Sequence, residues 1–275
     1  MGSGYAKDVA VLKHNRMVKA IAFLPDGNLL TWAVYSLGHD WTLKLWEPAT
    51  GKELQTQSQR EKFDCVDSIA FSPDGKLLAS SYLNKMVHVW DLAAGCSMRI
   101  LLHDKEAVSI AFSPDGKLLA AARVDGVVTL WDSQTGCEMR TFVVHDDFIS
   151  AIAFSPDGQL LASASNIENT VKIWDPATGT KRQTFVGHHN SSITSVAFSP
   201  DGKLLASASS DGTVKLWDPT TERLQGMIVG RGRLYSPVTF SPDSSFLAWA
   251  TNISSKDHGY TGHVEVDLWE LHRQK

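Results

Sequence analysis

From Ile193 onward the chain alternates short runs of apolar and β-branched residues with tight clusters of Ser, Pro, Asp and Gly. That is the pattern of strands and turns, not of helices. Ile193 to Phe198 reads as an extended strand, and Ser199-Pro200-Asp201-Gly202 reverses the chain, because Pro presets φ and Gly tolerates the left-handed region. Lys203 to Ser209 supplies a second strand (b), Ser210-Asp211-Gly212 a second turn, and Thr213 to Trp217 a third strand (c) that Asp218-Pro219 ends. A fourth strand (d) follows the Trp, as Lys181 to Val186 does one unit earlier.

The unit recurs along the whole chain. The phrase Phe-x-Pro-Asp-Gly/Ser stands at Phe23, Phe71, Phe112, Phe154, Phe198 and Phe240, and successive Phe positions lie 48, 41, 42, 44 and 42 residues apart. Each is answered by Trp-Asp or Trp-Glu, at Trp46, Trp90, Trp131, Trp174, Trp217 and Trp269. A period of about 40–45 residues closed by Trp-Asp predicts four-stranded propeller blades. The last repeat ends within six residues of Trp269, too soon for a fourth strand of its own, whereas Val9-Ala10-Val11-Leu12 lacks a first three. The expected fold is therefore all-β, a six-bladed propeller closed by pairing the N-terminal strand with the C-terminal blade. Residues 1–8 read as a tag-like or flexible start, and 9–275 as a single six-repeat domain.

Composition narrows the partners. A net charge of -4 and a pI near 6.2 provide no overall positive field for nucleic acid or anionic lipid, and no apolar run has the length of a membrane span. The three cysteines show no Cys-x-x-Cys or zinc spacing, and reduced thiols in a cytoplasmic setting are expected. The sequence contains no nucleophile motif, phosphate-cradling Gly loop or metal set, so no catalytic residue, cofactor or metal is assigned.

These repeats resemble the WD-repeat β-propeller family over nearly all residues from Val9 to Trp269, and their mutual likeness resembles the arrays of fungal and bacterial NACHT-type signalling proteins. The resemblance implies a hydrogen-bonded set in each blade. In repeat five it falls on His188, Ser207 (or Ser209), Asp211 and Trp217, and in fragments on His103, Asp125 and Trp131, and on His145, Ser163 and Trp174. The residue types are those of a catalytic triad, but a set repeated blade by blade is expected to be structural, each blade satisfying its own buried polar groups.

Repeats one and six depart from the pattern. Five residues past the turn Gly, the chain reads Trp32, Ser80, Ala121, Ser163, Ser207 and Trp249, with Ser244 standing for Gly in the last repeat. From the turn Gly to the sixth residue before the motif Trp is 9 residues in repeats two, three and five and 10 in repeat four, but 13 in repeat one and 19 in repeat six. In WD propellers these b-to-c connections share a face, the top, with the d-to-a connections. Trp32, Tyr35, His39, Trp41, Arg231, Trp249, His258, Tyr260 and His263 are accordingly candidate binding residues there, although Trp32 and Trp249 are equally suited to fill space between blades. The expected function is a non-catalytic scaffold or sensor for a protein or peptide partner. The alternative is a binder of a small apolar ligand, or an unconventional enzyme, using the same aromatic and His cleft.

Overall fold

The computed structural model describes residues 6–14, 17–23, 29–34, 40–47, 50, 52–60, 66–82, 85–91, 96–102, 104–185, 191–230, 233–234, 237–252 and 264–271, some early and late strands by backbone alone. Everything regular among these residues is strand. In chain order the strands are β1 (Ala6–His14), β2 (Met17–Phe23), β3 (Leu29–Val34), β4 (Asp40–Glu47), β5 (Lys52–Arg60), β6 (Val66–Phe71), β7 (Leu77–Tyr82), β8 (Met86–Asp91) and β9 (Cys96–Leu102). Next come β10 (Ala107–Phe112), β11 (Leu118–Arg123), β12 (Val127–Asp132), β13 (Glu138–Val143), β14 (Ile149–Phe154), β15 (Leu161–Ser165), β16 (Val171–Asp175) and β17 (Thr180–Phe185). The remainder are β18 (Ile193–Phe198), β19 (Leu205–Ser209), β20 (Thr213–Trp217), β21 (Leu224–Val229), β22 (Arg233–Leu234), β23 (Thr239–Phe240), β24 (Phe246–Asn252) and β25 (Val264–Leu271).

Consecutive strands form four-stranded sheets, β2 to β5, β6 to β9, β10 to β13, β14 to β17 and β18 to β21, each in sequence order. The remaining sheet is built differently, in the order β1-β25-β24-β22 with β23 also on β24. The expectation of six like blades is thus corrected to five: the last repeat does not make a four-stranded blade of consecutive strands. Its inner strand is cut into the two-residue pieces β22 and β23. Pro237 lies between them and has no N–H for the ladder. Across the sheet, β1 runs antiparallel to β25, with Ala6 opposite Leu271 and His14 opposite Val264.

By compactness the chain divides into two units, residues 1–63 with 199–275, and residues 64–198. In the second unit the core lies between successive sheets. Val87, Val89 and Leu101 of one pack with Ile110, Phe112, Leu119 and Trp131 of the next. Val128 and Leu130 in turn pack with Ile149, Ile152, Phe154 and Trp174. Each such buried aliphatic contributes about 1.5–3 kcal/mol. Polar ties run alongside: the Ile110 N–H donates to Ser68 Oγ at 3.2 Å, and the Ile152 N–H to Ser109 Oγ at 3.1 Å.

The Ser-Pro-Asp-Gly turn is a small hydrogen-bonded knot. Ser113 Oγ donates to Asp115 Oδ1 (2.6 Å) and accepts the Leu118 N–H (2.9 Å), while the Lys117 N–H reaches Asp115 Oδ1 (3.1 Å). These bonds, the Ser113 hydroxyl first, hold Asp115 below the usual carboxylate range. The same knot recurs at Ser72, Ser155, Ser199 and Ser241. In the last, Ser244 takes the Gly position at φ 59° and its hydroxyl accepts the Asp201 N–H at 3.2 Å.

Two glycines separate strain from crowding. Gly116 and Gly126 have φ of 71° and 82°, yet a Cβ on Gly116 would meet only Pro73 Cδ at 3.6 Å, whereas one on Gly126 would lie 2.0 Å from the His145 carbonyl oxygen. Gly116→Ala is expected to cost about 1–2 kcal/mol from φ alone. Gly126→Ala should cost clearly more, and chemical denaturation of the two variants measures the difference.

Candidate functional site

Within residues 64–198, connections between blades meet turns within blades at a shared rim. The Val144 and His145 N–H groups, just after β13, both donate to the carbonyl of Gly126 in the β11–β12 turn, at 2.8 and 3.2 Å. Likewise the Val124 N–H donates to the Glu106 carbonyl, the Asn166 N–H to that of Phe148, and the Gly230 N–H to that of Gly212. In the sheets β10–β13, β14–β17 and β18–β21, the turn between the second and third strands is therefore bonded to a connection between blades.

Directly beneath that rim lies the most developed polar network among the described residues. The Trp174 indole N–H donates to Ser163 Oγ at 2.9 Å, and Ser163 Oγ is also 2.9 Å from His145 Nε2. His145 Nδ1 is 3.2 Å from Glu168 Oε2. A carboxylate only accepts, so Nδ1 carries the imidazole proton and Nε2 accepts from the Ser163 hydroxyl. Lys172 Nζ and Thr170 Oγ1 also reach Glu168 Oε2, at 2.7 and 2.9 Å. Asp147 accepts the Ser165 hydroxyl (2.6 Å) and the Glu168 N–H (3.0 Å).

Serine, histidine and glutamate in this order have the connectivity of a nucleophile, base and orienter. Ser163 is fully buried and its oxygen holds the Trp174 indole, so the chain of bonds joins strand to rim and exposes no nucleophile. His145, Asp147 and Glu168 also bring ligand-type atoms within 4.8 Å of one another. Their atoms are engaged with each other and with Ser163, Ser165, Thr170 and Lys172, which is the chemistry of a hydrogen-bond network. Burial by itself would raise the Glu168 carboxyl, but the bonds from Lys172, His145 and Thr170 outweigh it and hold it down to about 2. Burial lowers His145, against the pull of Glu168.

Repeat five has part of the same set. The Trp217 indole donates to Ser207 Oγ at 3.0 Å, and Asp211 accepts the Thr213 N–H and hydroxyl at 2.9 and 2.6 Å. His188 lies outside the described residues. In repeat two the Trp90 indole donates to Ser80 Oγ at 3.0 Å, and His88 stacks on Trp90 with ring centroids 5.7 Å apart. Glu168 escapes a count made from the Pro-Asp-Gly turn because its connection is one residue longer. Counting back from the motif Trp finds it, six residues before Trp174 as Asp211 is before Trp217. Asn169 then takes the left-handed conformation (φ 53°) that Gly212 takes in repeat five (φ 86°).

Trp249 replaces that serine in the last repeat. It stands opposite Asp267, as Ser163 stands opposite Lys172 and Ser207 opposite Lys215. Trp249 and Asp267 are fully buried, and the Trp249 ring stacks on Trp269 at 5.6 Å and 13°. With the serine gone, neither indole N–H has a hydrogen-bond partner among the described residues. Trp32 is not the counterpart of Trp249. In β3 the register sets Thr31 opposite Lys44 and Trp32 opposite Leu43, one residue out of step with a count from Gly27. Trp41 pairs with Val34 and Gln59 through its backbone, and β2 lies beside β23 and β24. The side chains of Trp32 and Trp41 lie outside the described residues, as do Tyr35, His39, Arg231, His258, Tyr260 and His263.

The WD domain, G-beta repeat model (WD40) matches residues 6–47, 51–91, 95–132, 136–175 and 179–218. The chain belongs to the WD40 repeat family. Each matched WD repeat opens on or just before the outer strand of one sheet and ends with the third strand of the next, and the matches stop before β22. The chain is similar to "Periodic tryptophan protein 2" of Arabidopsis thaliana, 33% identical over 96 residues, which is 35% of this chain and 10% of that protein. It is similar to "Cell division cycle 20.1, cofactor of APC complex" of Arabidopsis thaliana, 34% identical over 77 residues (27% and 17%). A third relative is "Guanine nucleotide-binding protein subunit beta" of Zea mays, 34% identical over 83 residues (28% and 21%). The matched stretches thus span about a fifth or less of these relatives.

Two outcomes follow from the WD blades. An indole N–H without an acceptor adds nothing, so Trp249→Phe should leave stability within about 1 kcal/mol of wild type or raise it. A loss above about 2 kcal/mol in urea unfolding would mean that the N–H is bonded. Glu168 is depressed in the folded chain, so its contribution is present above about 4.5 and disappears as pH falls toward about 2. His145, also lowered, favours the folded state above its ordinary value and less so as pH falls through it. Unfolding followed against pH should give a shallower acid limb for Glu168→Gln than for wild type.

Proposed function

We propose that this WD-repeat propeller is a non-catalytic interaction scaffold that binds a protein or peptide partner through the rim of interblade connections, where repeats one and six adjoin. The observation that carries the reading is the placement of β2 beside β23 and β24 within one compact unit. It brings together the repeats with the longest b-to-c connections, between Val34 and Asp40 and between Asn252 and Val264. Tyr35 and His39 belong to one, with Trp41 beside it at the start of β4, and His258, Tyr260 and His263 belong to the other. Aromatic side chains with a few polar donors are the composition of an interface hot spot. Trp249 is fully buried and stacked on Trp269, so it is assigned no direct contact with the partner. The names of two relatives, a cofactor of a complex and a subunit of a guanine nucleotide-binding protein, support an assembly role.

Replacing Trp41 and Tyr260 together by Ala should weaken partner capture by roughly tenfold or more, the scale of hot-spot truncation, with the thermal transition little changed. Undiminished capture by a folded double variant would remove the proposed surface.

A further inference from the structure

One turn at the rim of residues 64–198 presents an apolar side chain to water. Ile167, between β15 and β16, is 71% exposed, the most of any large hydrophobic side chain among the described residues, and Phe148, just before β14, is 36% exposed. Where the equivalent turns of the neighbouring blades expose Asp125 and Asp211, this one exposes Ile167. It lies in the stretch where repeat four is one residue longer, so the apolar tip comes with the added length.

The turn that carries Ile167 is tied down at its backbone. The Ile167 N–H donates to Ser165 Oγ at 3.2 Å, and the Glu168 N–H to the same oxygen at 2.9 Å and to Asp147 Oδ2 at 3.0 Å. The Asn166 N–H donates to the Phe148 carbonyl at 3.1 Å, which joins this turn to the connection that carries Phe148. Both apolar residues are thus held in place in advance, so covering them costs little ordering entropy. The charge beside them has one sign. Asp146 and Asp147 directly precede Phe148, Glu168 directly follows Ile167, and Asp146 is exposed. Lys172 is bonded to Glu168 at 2.7 Å with its side chain 15% exposed, and Arg123 of the adjoining turn is bonded to Asp125. Lys105, one connection away, stands between Asp104 and Glu106.

We propose that Phe148 and Ile167 form a docking surface for a basic peptide segment, in which one apolar side chain covers the pair and flanking Lys or Arg side chains face Asp146 and its neighbouring carboxylates. Charge decides the occupant. A nucleic acid or an anionic lipid headgroup would meet carboxylates, and a second copy presenting the same patch would bring like charges together. A wholly apolar segment would cover Asp146 without a counter-charge. A basic segment with one apolar anchor answers both the exposed pair and the acidic border. The surface lies within residues 64–198 and shares no residue with the one assigned to repeats one and six, so either can fail without the other.

Random peptides displayed on phage, selected on the immobilised full chain with the soluble Ile167→Asp variant as competitor, test this. The recovered peptides should be rich in Lys and Arg around a single Leu, Ile, Met or aromatic residue. In isothermal titration calorimetry the synthesised consensus should bind wild type, and bind Ile167→Asp and Phe148→Ala about tenfold or more weakly. Asp146→Asn should weaken it as well, and added salt should weaken it in wild type. The double Trp41, Tyr260 variant should bind it as wild type does, which separates this surface from the other. Circular dichroism checks that each variant is folded. A selection that enriches nothing, or enriches peptides without net positive charge, overturns the proposal. So does a consensus held equally well by folded Ile167→Asp and Phe148→Ala, or a wild-type dimer that Ile167→Asp abolishes, which would give the patch to a second copy.

Discussion

A sheet that ends without a neighbour leaves a row of backbone groups unpaired, and the pairing of β1 with β25 is where this chain meets that constraint. Each matched repeat contributes its first strand to one sheet and its next three to the following sheet, so the array is one strand short at its end and one strand over at its beginning. The register from Ala6 with Leu271 to His14 with Val264 answers both needs with one ladder. The last repeat then has no reason to be a perfect copy. It has three ladders to complete and a Pro inside its inner strand, and the sheet survives because β24 and β25 continue across its full width.

Once pairing is settled, the indole acceptor governs the space between blades. Ser80, Ser163 and Ser207 each satisfy a motif Trp from a fully or nearly fully buried position. Repeat four extends this bond to the rim through His145 and Glu168, tying a loop to the core with ionic assistance from Lys172. The last repeat makes the opposite exchange. It gives up the hydrogen bond and gains the stacked area of two indoles.

The turns and most of the strands were readable from residues alone, because the Ser-Pro-Asp-Gly knot is local: every bond in it spans five residues or fewer. The number of like blades was not. Counting Phe and Trp phrases gives six, but a regular blade also needs an uninterrupted inner strand, and the phrases carry no information on Pro237, which falls between the two short pieces that pair with β24. Register misled in the same way at Trp32. The offset from Gly27 matches Trp249, whereas pairing with both β2 and β4 shifts β3 by one residue and puts Thr31 in that place. Ser163, Ser207 and their Trp partners were legible because both ends of each bond recur at the motif period, while Glu168 was hidden by one inserted residue.

That inserted residue also bears on where the chain can vary. Repeat four keeps its acid six residues before the Trp and takes the extra residue between Ser165 and Glu168, while Asn169 adopts the left-handed conformation that Gly212 has in repeat five. The Glu side chain, one methylene longer than Asp, still meets His145. Position relative to the strand is preserved while the turn changes. A rim anchored from below in this manner can accept longer connections without disturbing the sheets, because the bonds that hold the blade begin at the strand and not at the tip of the loop. The long connections of repeats one and six are extreme cases of the same tolerance.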